Sequence, residues 1–123
     1  GKFINSAIKF KKITINSNGE DKRDFLNMDD FPKILNNLLL DNAFGIINVV
    51  SGKSHSIKYI AETISRYFKK QINISFKEKG KNKVLTSISK FEFWQKKILR
   101  KKKNYYFTDI DKGIYKYISQ IKK

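Results

Sequence analysis

A small single α+β domain with about five helices and four short strands is predicted. Apolar residues recur at helical spacing from residue 31 and again from residue 57, whereas residues 13–15, 46–50 and 72–76 are β-branched or alternate between apolar and polar. Short polar connections join these segments, with no Pro- or Ser-rich linker to divide the chain. At 123 residues there is room for one core, burying roughly two-thirds of the surface of the unfolded chain. A content of 40% hydrophobic and 14% aromatic residues separates the sequence from disordered chains of similar charge.

In order, residues 2–11 place Phe3, Ile4, Ala7 and Ile8 on one face of a short helix. Ile13, Thr14 and Ile15 suit a brief strand, and Asn16, Ser17, Asn18 and Gly19 carry turn chemistry. Phe31, Ile34, Leu35, Leu38 and Leu39 define the clearest helix, with Asp29 or Asp30 set to cap its start and Pro32 tolerated in its first turn. After Gly45, the run Ile46, Ile47, Asn48, Val49, Val50 reads as a buried strand. The polar connection Ser51-Gly52-Lys53-Ser54 precedes a helix marked by Ile57, Ile60, Ala61, Ile64 and Phe68 and capped by Ser54 or Ser56. Ile72, Ile74 and Phe76 alternate as in a half-buried strand. Ser89 and Glu92 fit a capping box over Phe91, Phe93 and Trp94, an aromatic group read as core. A last helix is predicted from Thr108, with Asp111 completing a second box and Ile110, Ile114, Tyr117, Ile118 and Ile121 facing inward. Order is predicted to be weakest at 77–83 and 101–104, where charge replaces periodicity.

Composition excludes several chemistries. There is no cysteine and His55 is the only histidine, so thiolate or zinc centres and histidine-based triads are not expected. No apolar run approaches the roughly 20 residues that span a bilayer, and no signal segment is recognised, so a soluble cytoplasmic protein without a membrane partner is expected. The start at Gly1 is compatible with a longer natural chain.

The net charge of +16 invites a polyanion as partner. Only Arg23, Arg66 and Arg100 of the 27 basic residues are arginine, however, and lysine, asparagine and isoleucine share A/T-rich codons, so base composition accounts for much of the charge. The basic run at 96–103 beside Tyr105, Tyr106 and Phe107 has the pattern of a single-strand binder, and equally that of a solvated link between helices. The link is the simpler reading and nucleic acid is not the expected partner.

Other apparent motifs are weak. Adjacent Asp29 and Asp30 suit capping better than catalysis, and Ser51-Gly52-Lys53-Ser54 lacks the earlier glycine of a phosphate loop. The Tyr67-to-Lys70 spacing falls on a core helix, and His55 sits in a polar helix approach.

The segment ITINSNGEDKRDFLNMDDF at 13–31 is more specific. Its Gly19 turn, Arg23-Asp24-Phe25 and Asp29-Asp30 resemble, in order and spacing, the C-terminal substrate-binding portion of the NAD-dependent epimerase/dehydratase (extended short-chain dehydrogenase) family. INVVSGKSHSI at 47–57 is similar to that family's strand and Gly-Ser-Gly turn, with Val50 in place of a glycine. Ile88-Ser89-Lys90, Trp94 and residues 108–114 extend the likeness over nearly the whole chain.

The resemblance implies that 1–123 is a nucleotide-sugar substrate-binding domain whose N-terminal Rossmann domain is absent. Arg23 would grip the substrate pyrophosphate, Thr14, Ile15 and Asn16 would pass the nucleotide base, and Phe25 would belong to the same substrate-binding set. Lys77 would stand for a second phosphate-binding arginine, with charge but no bidentate fork, and Lys81 replaces the aspartate that follows it in the family. No catalytic, cofactor-binding or metal-binding residue is expected here. The family's Gly-rich NAD(P) turn and its catalytic tyrosine and lysine have no counterpart in this sequence, so the chain alone is not expected to be a complete enzyme. NAD(P) would belong to the parent enzyme. The expected partners are a nucleotide sugar, the missing Rossmann domain, and further copies of the chain through an apolar docking face. The competing functional class is a basic binding module for nucleic acid or anionic membrane.

Overall fold

The computed structural model describes residues 1–40, 44–46, 49–77 and 107–121. They form, in order, α1 (Lys2–Phe10), β1 (Lys12–Ile15), β2 (Lys22–Asp24), α2 (Phe31–Leu40), β3 (Ser54–Ser56), α3 (Ile57–Tyr67), β4 (Asn73–Phe76) and α4 (Ile110–Ile121). Four helices and four strands are thus found among the described residues. The helix expected around Ser89 and Trp94, and the basic run at 96–103, lie outside them.

Two small sheets organise the chain. β1 and β4 pair in parallel, Ile13 opposite Ile74 and Ile15 opposite Phe76, while β2 and β3 pair antiparallel with Arg23 opposite His55. Alternation along β1 sends Ile13 and Ile15 into the core and leaves Thr14 on the other face, where its hydroxyl accepts from Ser75 at 3.3 Å. Ile4 and Ala7 of α1, Ile60, Ala61 and Ile64 of α3, and Ile118 of α4 close over that sheet face with Phe68 and Ile72. α3 begins as expected, the Ser56 hydroxyl accepting from the Tyr59 amide at 3.0 Å.

Four expectations are corrected. Ile46, Val49 and Val50 are not in a strand, Ile47 and Asn48 lying outside the described residues, and β3 forms instead at Ser54–Ser56, from the last residue of the expected connection through the helix approach. The Asp24 carboxylate explains the shift: it accepts from the amides of Ser51 at 2.8 Å and Gly52 at 2.7 Å, turning the chain so that the following residues pair with β2. The apolar stripe of α2 is also less buried than its periodicity suggests. Ile34 is buried, while Leu35 is 45% and Leu39 67% exposed.

The second capping box does not form. α4 starts at Ile110, and Asp111 turns across to α3, accepting from Tyr59 Oη at 2.9 Å, Thr63 Oγ1 at 3.2 Å and Arg66 Nη2 at 3.2 Å. Thr108 in turn donates its amide at 2.6 Å and its hydroxyl at 3.0 Å to Asp30, which is only 1% exposed. Of the expected inward set, Ile118 is fully buried, whereas Tyr117 and Ile121 remain more than two-fifths exposed, at 44% and 42%.

Asp29, next to Asp30, faces solvent and bonds to Lys116 of α4. That hydrogen bond and the lysine charge hold its carboxyl below the usual range. A carboxyl depressed in the folded state stabilises above its unfolded pKa, and this contribution is lost as pH falls through the folded value. Lys116→Ala is therefore expected to move the Asp29 titration upward in a carboxyl-carbon NMR experiment, with little change in melting temperature because the pair is exposed. An unmoved titration would show that the pair does not form in solution.

Candidate functional site: a cleft at the ends of two parallel strands

Ligands of sheets with parallel strands tend to sit beyond the carboxyl ends of those strands. β1 ends at Ile15 and β4 at Phe76, and the Lys77 amide donates to the Ile15 carbonyl at 2.9 Å, bringing Asn16, Ser17 and Lys77 to one rim. Beyond this rim lies a cleft of about 630 Å³ lined by Lys2, Phe3 and Ser6 of α1, Thr14 to Ser17, Asp21, Ile57 and Lys77. α1 is held against it by the Ser6 hydroxyl, which donates to the Lys12 carbonyl at 2.7 Å.

The turn between β1 and β2 shapes the opposite wall. Gly19 there has φ +80 and its carbonyl accepts from the Lys58 amide at 2.9 Å, while the Asp21 carbonyl accepts from the Ile57 amide at 3.0 Å. The start of α3 is thereby fixed beside the end of β1. Two lysines and a single carboxylate line the cleft, with Phe3, Ile15 and Ile57 as apolar surface. Cationic ends beside an apolar wall can hold a ligand carrying phosphate and a flat ring.

Of the residues singled out from the sequence, Thr14, Ile15, Asn16 and Lys77 line this cleft together. Arg23 and Phe25 are not among its lining residues. Arg23 lies on β2, two residues beyond Asp21, half-buried, and its Nη1 donates to the Lys22 carbonyl at 3.2 Å. Phe25 packs on the core and lines an adjoining apolar groove of about 370 Å³ with Ile4, Ile60, Ile110 and Ile114, which shares Lys2, Phe3 and Ile57 with the cleft.

Lys2, Phe3, Ser6, Ser17, Asp21 and Ile57 were not anticipated. Their only sequence signal is the placement of Lys2 and Ser6 one helical turn apart on α1, which means little until the β1–β4 pairing is known. Asp24, by contrast, accounts for the phosphate-loop appearance of residues 51–54: its own oxygens occupy the Ser51 and Gly52 amides that an anion would use. His55 stacks on Tyr59 with ring centroids 5.0 Å apart, and the Arg66 guanidinium lies 5.4 Å from the Tyr59 ring. The Tyr59 hydroxyl, bonded to Asp111, is pushed above the ordinary phenol range chiefly by that bond. This assembly locks α3 to α4 and holds a phenol in its neutral form.

No family model matches the sequence. No curated protein matches it either. Solved structures do share its fold. An NAD-dependent NDP-hexosamine 5,6-dehydratase, TunA, of tunicamycin biosynthesis superposes with a TM-score of 0.81 at 16% identity, over 98% of this chain and 39% of the dehydratase. The UDP-N-acetylglucosamine 4-epimerase of Bacillus cereus gives 0.75 at 19% identity, over 99% of this chain and 42% of the enzyme. The UDP-glucuronic acid 4-epimerase of Bacillus cereus, solved with UDP-glucuronic acid and NAD, gives 0.72 at 21%, over 97% and 38%. The fold is thus that of a portion of NAD-dependent nucleotide-sugar epimerases and dehydratases, the group that the ordered motifs resemble. This chain spans about two-fifths of the length of these neighbours.

Proposed function

We propose that the chain is the C-terminal substrate-binding portion of an epimerase, dehydratase or reductase acting on a nucleotide sugar, and that the cleft beyond β1 and β4 receives the nucleoside diphosphate. The observation that carries this reading is the convergence of Thr14, Ile15, Asn16 and Lys77 on one cleft. The fold of the neighbours supports it, since their names describe enzymes of nucleotide sugars. In this reading the backbone at 14–16 flanks the base, and the Lys2 and Lys77 ammonium groups face the diphosphate. Arg23 lies outside the cleft lining, two residues beyond Asp21, and would join these cations by exchanging its 3.2 Å bond to the Lys22 carbonyl for a charge-assisted bond to phosphate.

The hydride chemistry of such an enzyme would be supplied by NAD(P) on a separate Rossmann domain. The Ser51-Gly52 turn does not fit that role here, because Asp24 fills it. Leu35, Leu39 and Leu40 of α2, with Phe44 and Ile46, present the apolar surface expected of a domain boundary.

Titration of the chain with UDP-, GDP- and dTDP-sugars tests the reading. Lys77→Ala and Arg23→Ala are each expected to weaken binding about tenfold or more, as charge-assisted hydrogen bonds to phosphate are lost. Undiminished binding by both variants would place the ligand elsewhere.

A further inference from the structure

A second charged surface lies at the opposite end of the β1–β4 pair, where the strands begin. The tripeptide Phe-Lys-Lys stands at the exits of both α1 and α3: residues 10–12 run from the last residue of α1 into β1, and residues 68–70 follow α3 and lead toward β4. The two turns lie side by side: the Asn73 amide donates to the Lys11 carbonyl at 2.9 Å, and Lys11 Nζ stands 5.4 Å from the centroid of the Phe68 ring. Lys9, Lys11, Lys12, Lys69 and Lys70 are all exposed there. Neither residues 7–15 nor residues 64–76 contain a carboxylate, and none of the five lysines takes part in an ion pair among the described residues.

Base composition does not account for this cluster. Lys11, Lys69 and Lys70 have φ of 51, 53 and 61, the left-handed region in which asparagine is favoured over lysine. Asparagine has codons as A/T-rich as those of lysine, and this chain uses it freely. Compensation of helix ends is also insufficient. Two helix C-termini carry about one negative elementary charge in total, against the five positive charges of the named lysines.

We propose that this end of the molecule is a peripheral binding surface for an anionic lipid bilayer. The lysines would bear on lipid phosphates while Phe10, 73% exposed, enters the headgroup layer. A membrane suits the surface better than a nucleic acid strand. Neither of the two clefts described above includes these residues. Only one of the two phenylalanines is free to stack, Phe68 being 6% exposed, and the turns contain no arginine. Among the described residues no helix is long and apolar enough to cross a membrane, so any attachment through this face is to the bilayer surface.

Co-sedimentation with phosphatidylcholine vesicles, with or without phosphatidylserine, tests the proposal at low and high salt. The informative variant is Lys11→Asn/Lys69→Asn/Lys70→Asn, since asparagine suits the backbone at all three positions and the melting temperature should hold or rise. Its affinity for phosphatidylserine vesicles is expected to fall roughly 100-fold, about fivefold per lysine. Phe10→Ser should lower it about tenfold more. A control of equal charge, Lys53→Gln/Lys58→Gln/Lys112→Gln, should lose far less. Equal losses in the two triple variants would reduce the effect to diffuse net charge and overturn the proposal. So would absence of vesicle binding, or capture of a single-stranded oligonucleotide by this face in place of vesicles.

Discussion

Asp30→Ala is expected to destabilise the fold by about 3 kcal/mol, the cost of removing one side of a buried, charge-assisted hydrogen-bond set. The Asp30 carboxylate is 1% exposed and receives both the amide and the hydroxyl of Thr108. Without it the Thr108 amide loses its acceptor, and the segment that delivers α4 to the core loses its anchor. The neighbouring substitution Asp29→Ala provides the contrast. Asp29 is exposed and paired at the surface with Lys116, so its loss should leave stability nearly unchanged. Urea denaturation of the two variants measures the difference directly. Equal effects would mean that the Asp30–Thr108 link is not made in solution.

Gly19→Ala is expected to cost about 3 kcal/mol as well, from two sources that add. A side chain at φ +80 carries left-handed strain of about 1–2 kcal/mol. The added Cβ would also stand 2.9 Å from Phe76 Cε1 and 3.0 Å from Lys58 Cβ, an overpacking of about 1–3 kcal/mol. Phe76 immediately precedes Lys77, so the clash should disturb the cleft and weaken nucleotide-sugar binding along with stability. Gly45→Ala separates the two causes. Gly45 has φ +93 but nothing within 4 Å of an added Cβ, so it should cost only the strain. A Gly19 variant no less stable than the Gly45 variant would remove the close contact from the account.

The helices were legible because each carries its own periodicity: α1, α2 and α3 begin and end close to where the apolar spacing places them. β1 and β4 were legible for the same reason, since Ile13 and Ile15, or Ile74 and Phe76, alternate with polar residues. β3 was not, because Ser54, His55 and Ser56 have neither alternation nor β-branching. Its strand depends on Asp24, 27 and 28 residues before the amides that it captures. Asp111 misled for a related reason. Local spacing fitted a capping box, but a carboxylate facing three donors on α3 is better satisfied there, and only the packing of α4 creates that choice.

The candidate site divides in the same way. Resemblance in order and spacing singled out Thr14, Ile15, Asn16 and Lys77, which the β1–β4 register brings together across 61 positions of sequence at Thr14 and Ser75. Lys2, Ser6 and Asp21 join them only through the docking of α1 and the turn at Gly19. Phe25 follows Arg23-Asp24 in sequence but belongs to the core in space.

The most direct test of the central claim is an amide chemical-shift map of the chain titrated with a UDP-sugar at physiological salt. Shifts confined to residues 14–17, Asp21, Arg23 and Lys77, and lost in Lys77→Ala, are the predicted result. Shifts centred on Lys11, Lys69 and Lys70, or spread evenly over the lysines, would show charge-driven contact in place of a nucleotide-sugar site and would contradict the assignment of the cleft.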